Sequence, residues 1–136
     1  MISVVLDTNV VASGFFFSGP PARILDAWVD GRFTWVVSPE VFEEYSRTLL
    51  RLSARFGGPD PARFLSRLAY RAAWCHPVVS APAGCADPDD DKFLHCAAAG
   101  GAFIVVSGDR ALLRMFGWQD LPVVTPRDFV DIVLSD

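Results

Sequence analysis

Two apolar segments of the 136-residue chain end in an aspartate. The first, "ISVVLD", ends at Asp7, and a later one, "FIVVSGD", ends at Asp109. Because the carboxyl ends of the strands in an open parallel sheet share one edge, where ligands bind, we expect these carboxylates to lie close together. Each also has an ordinary explanation, since an Asp at a strand end is often a turn residue.

A predicted helix, "DPDDDKFLHCAAAGG", adds an acidic turn in front of the second of these strands. Asp90 has Leu94 four residues later and Ala97 seven residues later, which places it on the buried face of the helix near its N-terminus. Its neighbours Asp89 and Asp91 compete for the same role, but we expect both to face solvent. The spacing therefore favours Asp90 as a third inward-facing acid.

A longer predicted helix, "SPEVFEEYSRTLLRLSARFGG", carries a fourth candidate acid. Ser38 stands at the N-cap position, and apolar residues at three- and four-residue spacing mark the buried face: Val41, Tyr45, Leu49, Leu52 and Phe56. Glu44 lies one position before Tyr45, beside this stripe, and Glu43 competes with it. The alternative role for both glutamates is to complement the helix dipole.

Four half-buried carboxylates at one edge of a sheet would repel one another and raise each other's pKa values. A hard divalent cation relieves that conflict, and oxygen ligands suit Mg²⁺ or Mn²⁺. Neither histidine is well placed as a general base, because His76 lies near a helix-to-strand junction and His95 points to a different helix face from Asp90. The pattern favours metal-assisted chemistry over a metal-free mechanism.

Short apolar runs alternate with helical patterns along the chain, which predicts an α/β fold with a central, mostly parallel sheet flanked by helices. We expect a single domain over residues 1–136, since no linker or repeat is visible. The predicted strands include "FTWVVS" and a short one at "HPVV". Of the three consecutive phenylalanines Phe15, Phe16 and Phe17, at least one should be exposed. They either pack under the next loop or form a dimer or partner surface, and we expect a homodimer or higher homo-oligomer.

The composition narrows the class of protein. Hydrophobic residues make up 51% of the chain and charged residues 21%, which is typical of a globular domain. No apolar run approaches the ~20 residues of a membrane-spanning helix, and "MISVVLD" does not resemble a signal peptide, so we expect a cytoplasmic location. The net charge of −4 argues against a general nucleic-acid binder but not against a nuclease with bound cations. Three cysteines without a C-x-x-C pair indicate neither a disulfide framework nor a zinc site.

Four separate motifs resemble PIN-domain proteins, in the order in which that family has them: "LDTNVVASG", "SPEVFEEYSRTL", "DPDDDKFLHCAAAGGAFIVVSGDRALL" and "VVTPRDFV". The chain is especially similar to the VapC-like branch identified as toxin components of bacterial toxin–antitoxin pairs. The resemblance implies a PIN-like α/β domain and a Mg²⁺- or Mn²⁺-dependent ribonuclease. It also implies an RNA substrate and a cognate antitoxin protein as partners.

The resemblance also carries over individual residues. It implies that Asp7, Asp90 and Asp109 bind the metal and that Glu44 completes the catalytic set. Supporting positions are Asn9, the polar neighbour of the first acid, Ser107, the small hydroxyl residue before the fourth, and Asp91. Lys92 and Arg110 either contact phosphates or are surface charges.

Two arginine stripes form a further candidate surface. Four-residue spacing places each trio on one face of its helix: Arg47, Arg51 and Arg55, then Arg63, Arg67 and Arg71. They contact RNA phosphates or an acidic antitoxin segment, or they are simply solvated.

Other phosphoryl-transfer enzymes fit the sequence less well. A haloacid-dehalogenase-like phosphatase would need a D-x-D motif, but Asn9 stands at its third position. A response-regulator receiver would need paired acids at the first strand and a lysine after a late one. The remaining alternative is a catalytically silent PIN module that acts through RNA or protein binding.

Overall fold

Five parallel strands form a single sheet in the computed structural model, which describes residues 1–78 and 81–135. Their spatial order is β3-β2-β1-β4-β5. The strands are β1 (Ser3–Leu6), β2 (Thr34–Val37), β3 (Ala73–Trp74), β4 (Ile104–Val106) and β5 (Val123–Val124). The predicted α/β class with a central parallel sheet is confirmed.

The central strand β1 lies between β2 and β4 and is where the strand order reverses. It pairs with β4 through Val4 and Ile104, Val5 and Val105, and Leu6 and Val106. All six side chains are buried, as expected for a sheet covered on both faces. The two segments that end in aspartate are therefore neighbouring strands at the topological switch point, where ligands bind in open α/β sheets.

Seven α-helices flank the sheet within the described residues. They are α1 (Thr8–Phe16), α2 (Pro20–Val29), α3 (Pro39–Phe56), α4 (Ala62–Arg71), α5 (Asp91–Gly100), α6 (Arg110–Leu113) and α7 (Pro126–Phe129). The predicted start of α3 is confirmed, because Ser38 Oγ accepts a hydrogen bond from the Val41 N–H at 3.2 Å. On its predicted apolar face Val41, Tyr45 and Leu49 are buried, but Phe56 is 72% exposed.

Two local expectations fail. The short strand predicted at "HPVV" is formed instead by Ala73–Trp74, which pair with Val36 and Val37. His76–Val78 are not in a strand, and Val79 lies outside the described residues. Helix α1 was not predicted either, because its β-branched residues and Gly14 weaken the helical pattern.

As expected, at least one of the three consecutive phenylalanines is exposed. Phe15 and Phe16 are partly buried against the core, whereas Phe17, just after α1, is 74% exposed.

The three cysteines are free and buried, and the Sγ atoms of Cys75 and Cys96 lie 3.5 Å apart. None of the helices in residues 1–78 and 81–135 has the length and apolarity needed to cross a membrane.

Gly14 allows α1 and α2 to approach closely. A Cβ atom at this position would lie 2.6 Å from the Pro21 carbonyl oxygen and 2.9 Å from the Leu25 side chain. The oxygen belongs to the backbone of α2, so it cannot move aside without shifting the helix. The absence of a side chain at Gly14 therefore allows α1, which begins directly after Asp7, to pack closely against α2.

We expect Gly14→Ala to lower the free energy of unfolding by about 1–3 kcal/mol, because overpacking outweighs the higher helix propensity of alanine. Urea denaturation measures the change. Gly108→Ala is the matched control, since a Cβ there meets no atom within 4 Å. A Gly14→Ala variant at least as stable as the parent would show that the two helices can separate freely.

Candidate active site

Asp7 stands at the switch point, between the end of β1 and the start of α1. Its N–H donates to the Val106 carbonyl of β4 at 2.9 Å, and its carboxylate Oδ2 accepts a hydrogen bond from Ser107 Oγ at 2.7 Å. The side chain is buried and makes no capping hydrogen bond to α1. The Asp7 carboxylate therefore does not cap α1. It is held by Ser107, which directly follows the neighbouring strand β4.

Ser107 connects Asp7 to Asp109. Its Oγ donates to Asp7 and accepts a hydrogen bond from the Asp109 N–H at 2.9 Å. Asp109 is half-buried and caps α6, accepting from the Ala111 N–H at 3.3 Å. Asn9 is exposed and lines, together with Asp109, an open cavity of about 370 Å³. The structure thus brings together the candidate residues that follow β1 and β4, which are Asp7, Asn9, Ser107 and Asp109.

Asp90 ends a 3₁₀ turn, Pro88–Asp90, and its half-buried carboxylate makes no hydrogen bond or ion pair within the described residues. Burial, and after it the negative charges of Asp7, Asp87, Asp109 and Glu44, together raise its pKa from 3.8 to about 6. The pKa of Asp7 is also raised, mainly by burial and further by Glu44 and Asp109, against the opposing effect of the Ser107 hydrogen bond. The four predicted acids therefore lie within electrostatic reach of one another.

Glu44 differs from the other three acids because a cation neutralises it. Its Oε1 lies 2.8 Å from the ammonium of Lys92, and its Oε2 accepts a hydrogen bond from the Thr8 hydroxyl. The Lys92 side chain is only 5% exposed and also contacts Asp89 at 3.2 Å. Burial lowers the pKa of Lys92, but the bonds to Glu44 and Asp89 outweigh burial and raise it overall.

The expectation that Asp91 faces solvent is wrong. Asp91 is buried, and its carboxylate accepts hydrogen bonds from the Ala83 N–H at 3.1 Å and the Cys85 N–H at 3.0 Å. Burial raises its pKa, but these bonds outweigh burial and lower it overall. Asp91 holds the preceding segment against α5, which the periodicity of α5 alone could not show. Asp89 is exposed, as expected.

The choice of Glu44 over Glu43 agrees with the geometry. Glu43 is exposed and pairs with exposed Arg47 at 3.3 Å, four residues along α3. Tyr45, the next residue, was predicted only as core. Its buried hydroxyl donates to the Leu6 carbonyl and accepts from Trp35 Nε1 at 3.3 Å. Tyr45 therefore ties α3 to the residue just before Asp7.

The six arginines of the two stripes are all exposed, but three have partners within the chain. Arg71 lies 4.5 Å above the Trp28 ring and donates to the Trp28 carbonyl at 3.0 Å. Arg47 pairs with Glu43, and Arg55 lies 5.1 Å from the centre of the Phe56 ring. Arg71 is therefore bound to the protein itself. In the second stripe this leaves Arg63 and Arg67 as candidate phosphate contacts.

The donor chemistry at this edge fits a hard divalent cation, since every candidate ligand is a carboxylate. In the part of the chain that the structure describes, Asp90 has no positive partner. However, among residues 1–78 and 81–135 no three His, Cys, Asp or Glu side chains are grouped closely enough to hold a metal ion. The acids would have to draw together to bind one.

We expect Asp90→Asn to stabilise the metal-free protein at pH 8. A carboxylate with a raised pKa stabilises the fold below pH 3.8, and this contribution is lost as the pH rises through about 6. The variant should gain about 1 kcal/mol at pH 8, allowing for solvent screening, and the gain should disappear towards pH 4. Thermal melts in chelator buffer across this range measure it.

Asp91→Asn is the matched control for that experiment. The pKa of Asp91 is lowered, so its contribution is present above pH 3.8 and lost below it. This variant should therefore lose stability at pH 8. If both variants shift the melting temperature in the same direction at pH 8, the opposite environments assigned to these neighbours are incorrect.

Comparisons with known proteins agree with this geometry. The PIN domain family (PIN_3) matches residues 3–111, which include all four acids. The chain is 27% identical to "Uncharacterized protein MJ1680" of Methanocaldococcus jannaschii, covering 96% of this chain and 90% of that protein. The crystal structure of PAE2754 from Pyrobaculum aerophilum superposes with a TM-score of 0.61 at 14% identity, over 99% of this chain and 91% of that one, and supports the fold alone. With its four acids at the edge of a parallel sheet and a family match over most of its length, this chain belongs to the PIN domain family.

Proposed function

We propose that this protein is a metal-dependent endoribonuclease that hydrolyses RNA phosphodiester bonds. Membership of the PIN domain family suggests a nuclease in general. The observation that carries the proposal is the group of mutually repelling acids at the switch point, in which Asp90 has no positive partner among the residues that the structure describes. A fold tolerates such a group at a cost in stability, which is typical of sites that bind cations.

Asp7, Asp90 and Asp109 are the proposed ligands of Mg²⁺ or Mn²⁺. Such an ion, when bound, lowers the pKa of its water and stabilises charge on the phosphate. Ser107 orients Asp7 and holds the backbone of Asp109 at the same time. Asn9, exposed beside Asp109, is placed to hydrogen-bond the substrate at the mouth of the cavity.

More specifically, we propose that this ribonuclease is the toxin of a bacterial toxin–antitoxin pair and acts in the cytoplasm. It is supported by the resemblance of the four motifs to that branch of the family. A homo-oligomer or an antitoxin complex would cover the apolar surface formed by Phe16, Phe17, Leu52 and Phe56, which line a common cavity. An antitoxin-like reading frame beside the gene would add direct support.

A second candidate function is a catalytically silent module that binds RNA or protein. The observation that favours it is the spacing of the acids, of which no three within the described residues are grouped as metal ligands. Metal-dependent cleavage separates the two candidates.

We expect the purified protein to cleave a generic single-stranded RNA with Mn²⁺ or Mg²⁺ and not with EDTA. Asp7→Asn, Asp90→Asn and Asp109→Asn should each lower the rate at least about 100-fold, because each removes a ligand charge. Asp131→Asn, at an exposed acid outside the site, is the matched control. RNA binding without cleavage by the folded parent would instead support the silent module.

The arginine surface gives a separate prediction about RNA binding. In an Asp7→Asn background, Arg51→Gln and Arg67→Gln should each weaken binding and reduce the slope of log affinity against log salt by about one, since each lost phosphate contact releases fewer counterions. Affinity measured across a salt series tests this, with Arg23→Gln on α2 as the control. Unchanged affinity and slope would exclude these arginines from the RNA surface.

A further inference from the structure

A cavity outside the candidate active site lies over the exposed face of α5; we call it the α5 cavity. Its volume is about 540 Å³, which is within the range of small-molecule binding sites. Ala98 and Ala99 of α5 line it and are exposed, so small side chains leave room there. Polar and aromatic side chains from three separate segments also line it: His76, His95, Trp118 and Gln119.

The turn Trp118–Asp120 brings two of these side chains to the cavity in an unfavourable backbone conformation. Gln119 (φ 50°) and Asp120 (φ 61°) both lie in the left-handed region, although neither is glycine. Two such residues in succession are uncommon, and residues held in this region cluster at ligand-binding sites. The turn is closed by a hydrogen bond from the Gly117 N–H to the Leu121 carbonyl at 2.9 Å. The chain therefore maintains a strained turn at the wall of the cavity.

The groups that line the α5 cavity suit a neutral, planar ligand. The Trp118 and His95 rings lie 6.2 Å apart in an edge-to-face arrangement. Nucleobases stack on aromatic and imidazole rings, and amide and imidazole groups can hydrogen-bond the edges of a base. Among the described residues that line the cavity, none is Asp, Glu, Lys or Arg. Neither a phosphate nor an amine would therefore find a full opposite charge there.

The α5 cavity continues towards the candidate active site. His95 also lines a neighbouring cavity of about 490 Å³, which extends to Asp89 and Lys92. Lys92 lies one helical turn before His95 on α5, and its ammonium contacts Glu44 at 2.8 Å. A ligand that occupies the α5 cavity can therefore belong to a molecule that also reaches the acids.

The connecting cavity disfavours phosphate groups. Three acids and one lysine are among the described residues that line it: Glu40, Asp89, Asp91 and Lys92. Phosphates would be repelled by this excess of negative charge, whereas an uncharged base would not. A strand of RNA bound at the acids would keep its phosphates outside this cavity and insert a base.

We propose that the α5 cavity binds one unpaired nucleobase of the RNA, stacked on Trp118 and hydrogen-bonded by Gln119 and His95. This inference deepens the proposed function, because it concerns the RNA on which the acids act. Single-stranded RNA is commonly recognised in this way, through bases that are turned out and stacked on aromatic side chains. The cavity then selects for an unpaired base near the bond that is cleaved.

The test measures RNA binding in EDTA, so that the result depends neither on a metal ion nor on cleavage. A fluorescent single-stranded RNA of about eight nucleotides is titrated across a salt series. The parent is compared with Trp118→Ala, Trp118→Phe and Gln119→Gly, and thermal melts establish that each variant is folded.

Two matched controls lie outside the cavity. Asp120→Gly replaces the other exposed left-handed residue of the same turn, which does not line the cavity. Phe116→Ala removes an aromatic side chain that is 63% exposed and is not part of the cavity wall. Neither control should weaken RNA binding.

We expect Trp118→Ala to weaken RNA binding at least about fivefold, because the stacking of one base is lost. Gln119→Gly should weaken it about two- to fivefold through the lost hydrogen bond, and Trp118→Phe, which keeps an aromatic face, should stay within about threefold of the parent. The slope of log affinity against log salt should stay unchanged in all three, since no phosphate contact is removed. If Trp118→Ala does not fold, Gln119→Gly against Asp120→Gly decides the outcome.

Free nucleosides distinguish a base within RNA from a free small molecule. Adenosine, guanosine, cytidine and uridine are each added as competitors at millimolar concentration, with ribose as the control that lacks a base. At least one nucleoside should displace RNA from the parent and fail to do so from Trp118→Ala, whereas ribose should have no effect. Nucleoside binding that depends on Trp118, combined with RNA binding that does not, would overturn the inference in favour of a site for free nucleosides.

Three other results would overturn the inference: no RNA binding by the folded parent, unchanged affinity in folded Trp118→Ala, or a reduced salt slope in that variant. If metal-dependent cleavage is retained in any of these cases, the proposed function stands without the base site. If cleavage by the parent fails but RNA binding still depends on Trp118, the proposed ribonuclease is wrong and the base site remains.

Discussion

Repulsion among the carboxylates at the end of β1 is the constraint on which the rest of this structure depends. The chain places Asp7, Glu44, Asp90 and Asp109 within electrostatic reach of one another, and the raised pKa values of Asp7 and Asp90 show the cost. Burial makes that cost larger, because charges in a low-dielectric environment interact more strongly. The surrounding fold must hold the acids together against this repulsion.

Each acid is held from a different direction. Ser107 of the segment after β4 fixes Asp7, Lys92 on α5 fixes Glu44, and the first turn of α6 fixes Asp109. The Tyr45 hydroxyl joins α3 to the backbone of Leu6. The buried strands β1 and β4 support the segments that carry Asp7 and Asp109. Among the described residues, Asp90 is the one acid of the four whose carboxylate has no such partner.

The part of this arrangement that follows from local patterns could be predicted from the sequence. Asp7 and Asp109 were predicted because each ends an apolar run, and the parallel fold class predicted that they lie at the same edge of the sheet. The three- and four-residue spacing of α5 favoured Asp90 over its neighbours, whereas the choice of Glu44 over Glu43 rested mainly on the resemblance to the family's motif. Asp91 could not be predicted, because its partners Ala83 and Cys85 belong to an irregular segment without periodicity. The role of Lys92 was missed for a related reason, since its partner Glu44 is 48 residues away.

The hydrogen bond between Ser107 and Asp7 spans 100 residues of sequence. The carboxylate at the start of the chain therefore acquires its partner only after β4 has been made and inserted beside β1. During synthesis on the ribosome, an emerging chain that has reached α4 contains Asp7 and Glu44 but neither Lys92 nor Ser107. The cluster of acids is therefore assembled only late in synthesis, and a chain truncated before β4 would lack both Ser107 and Asp109.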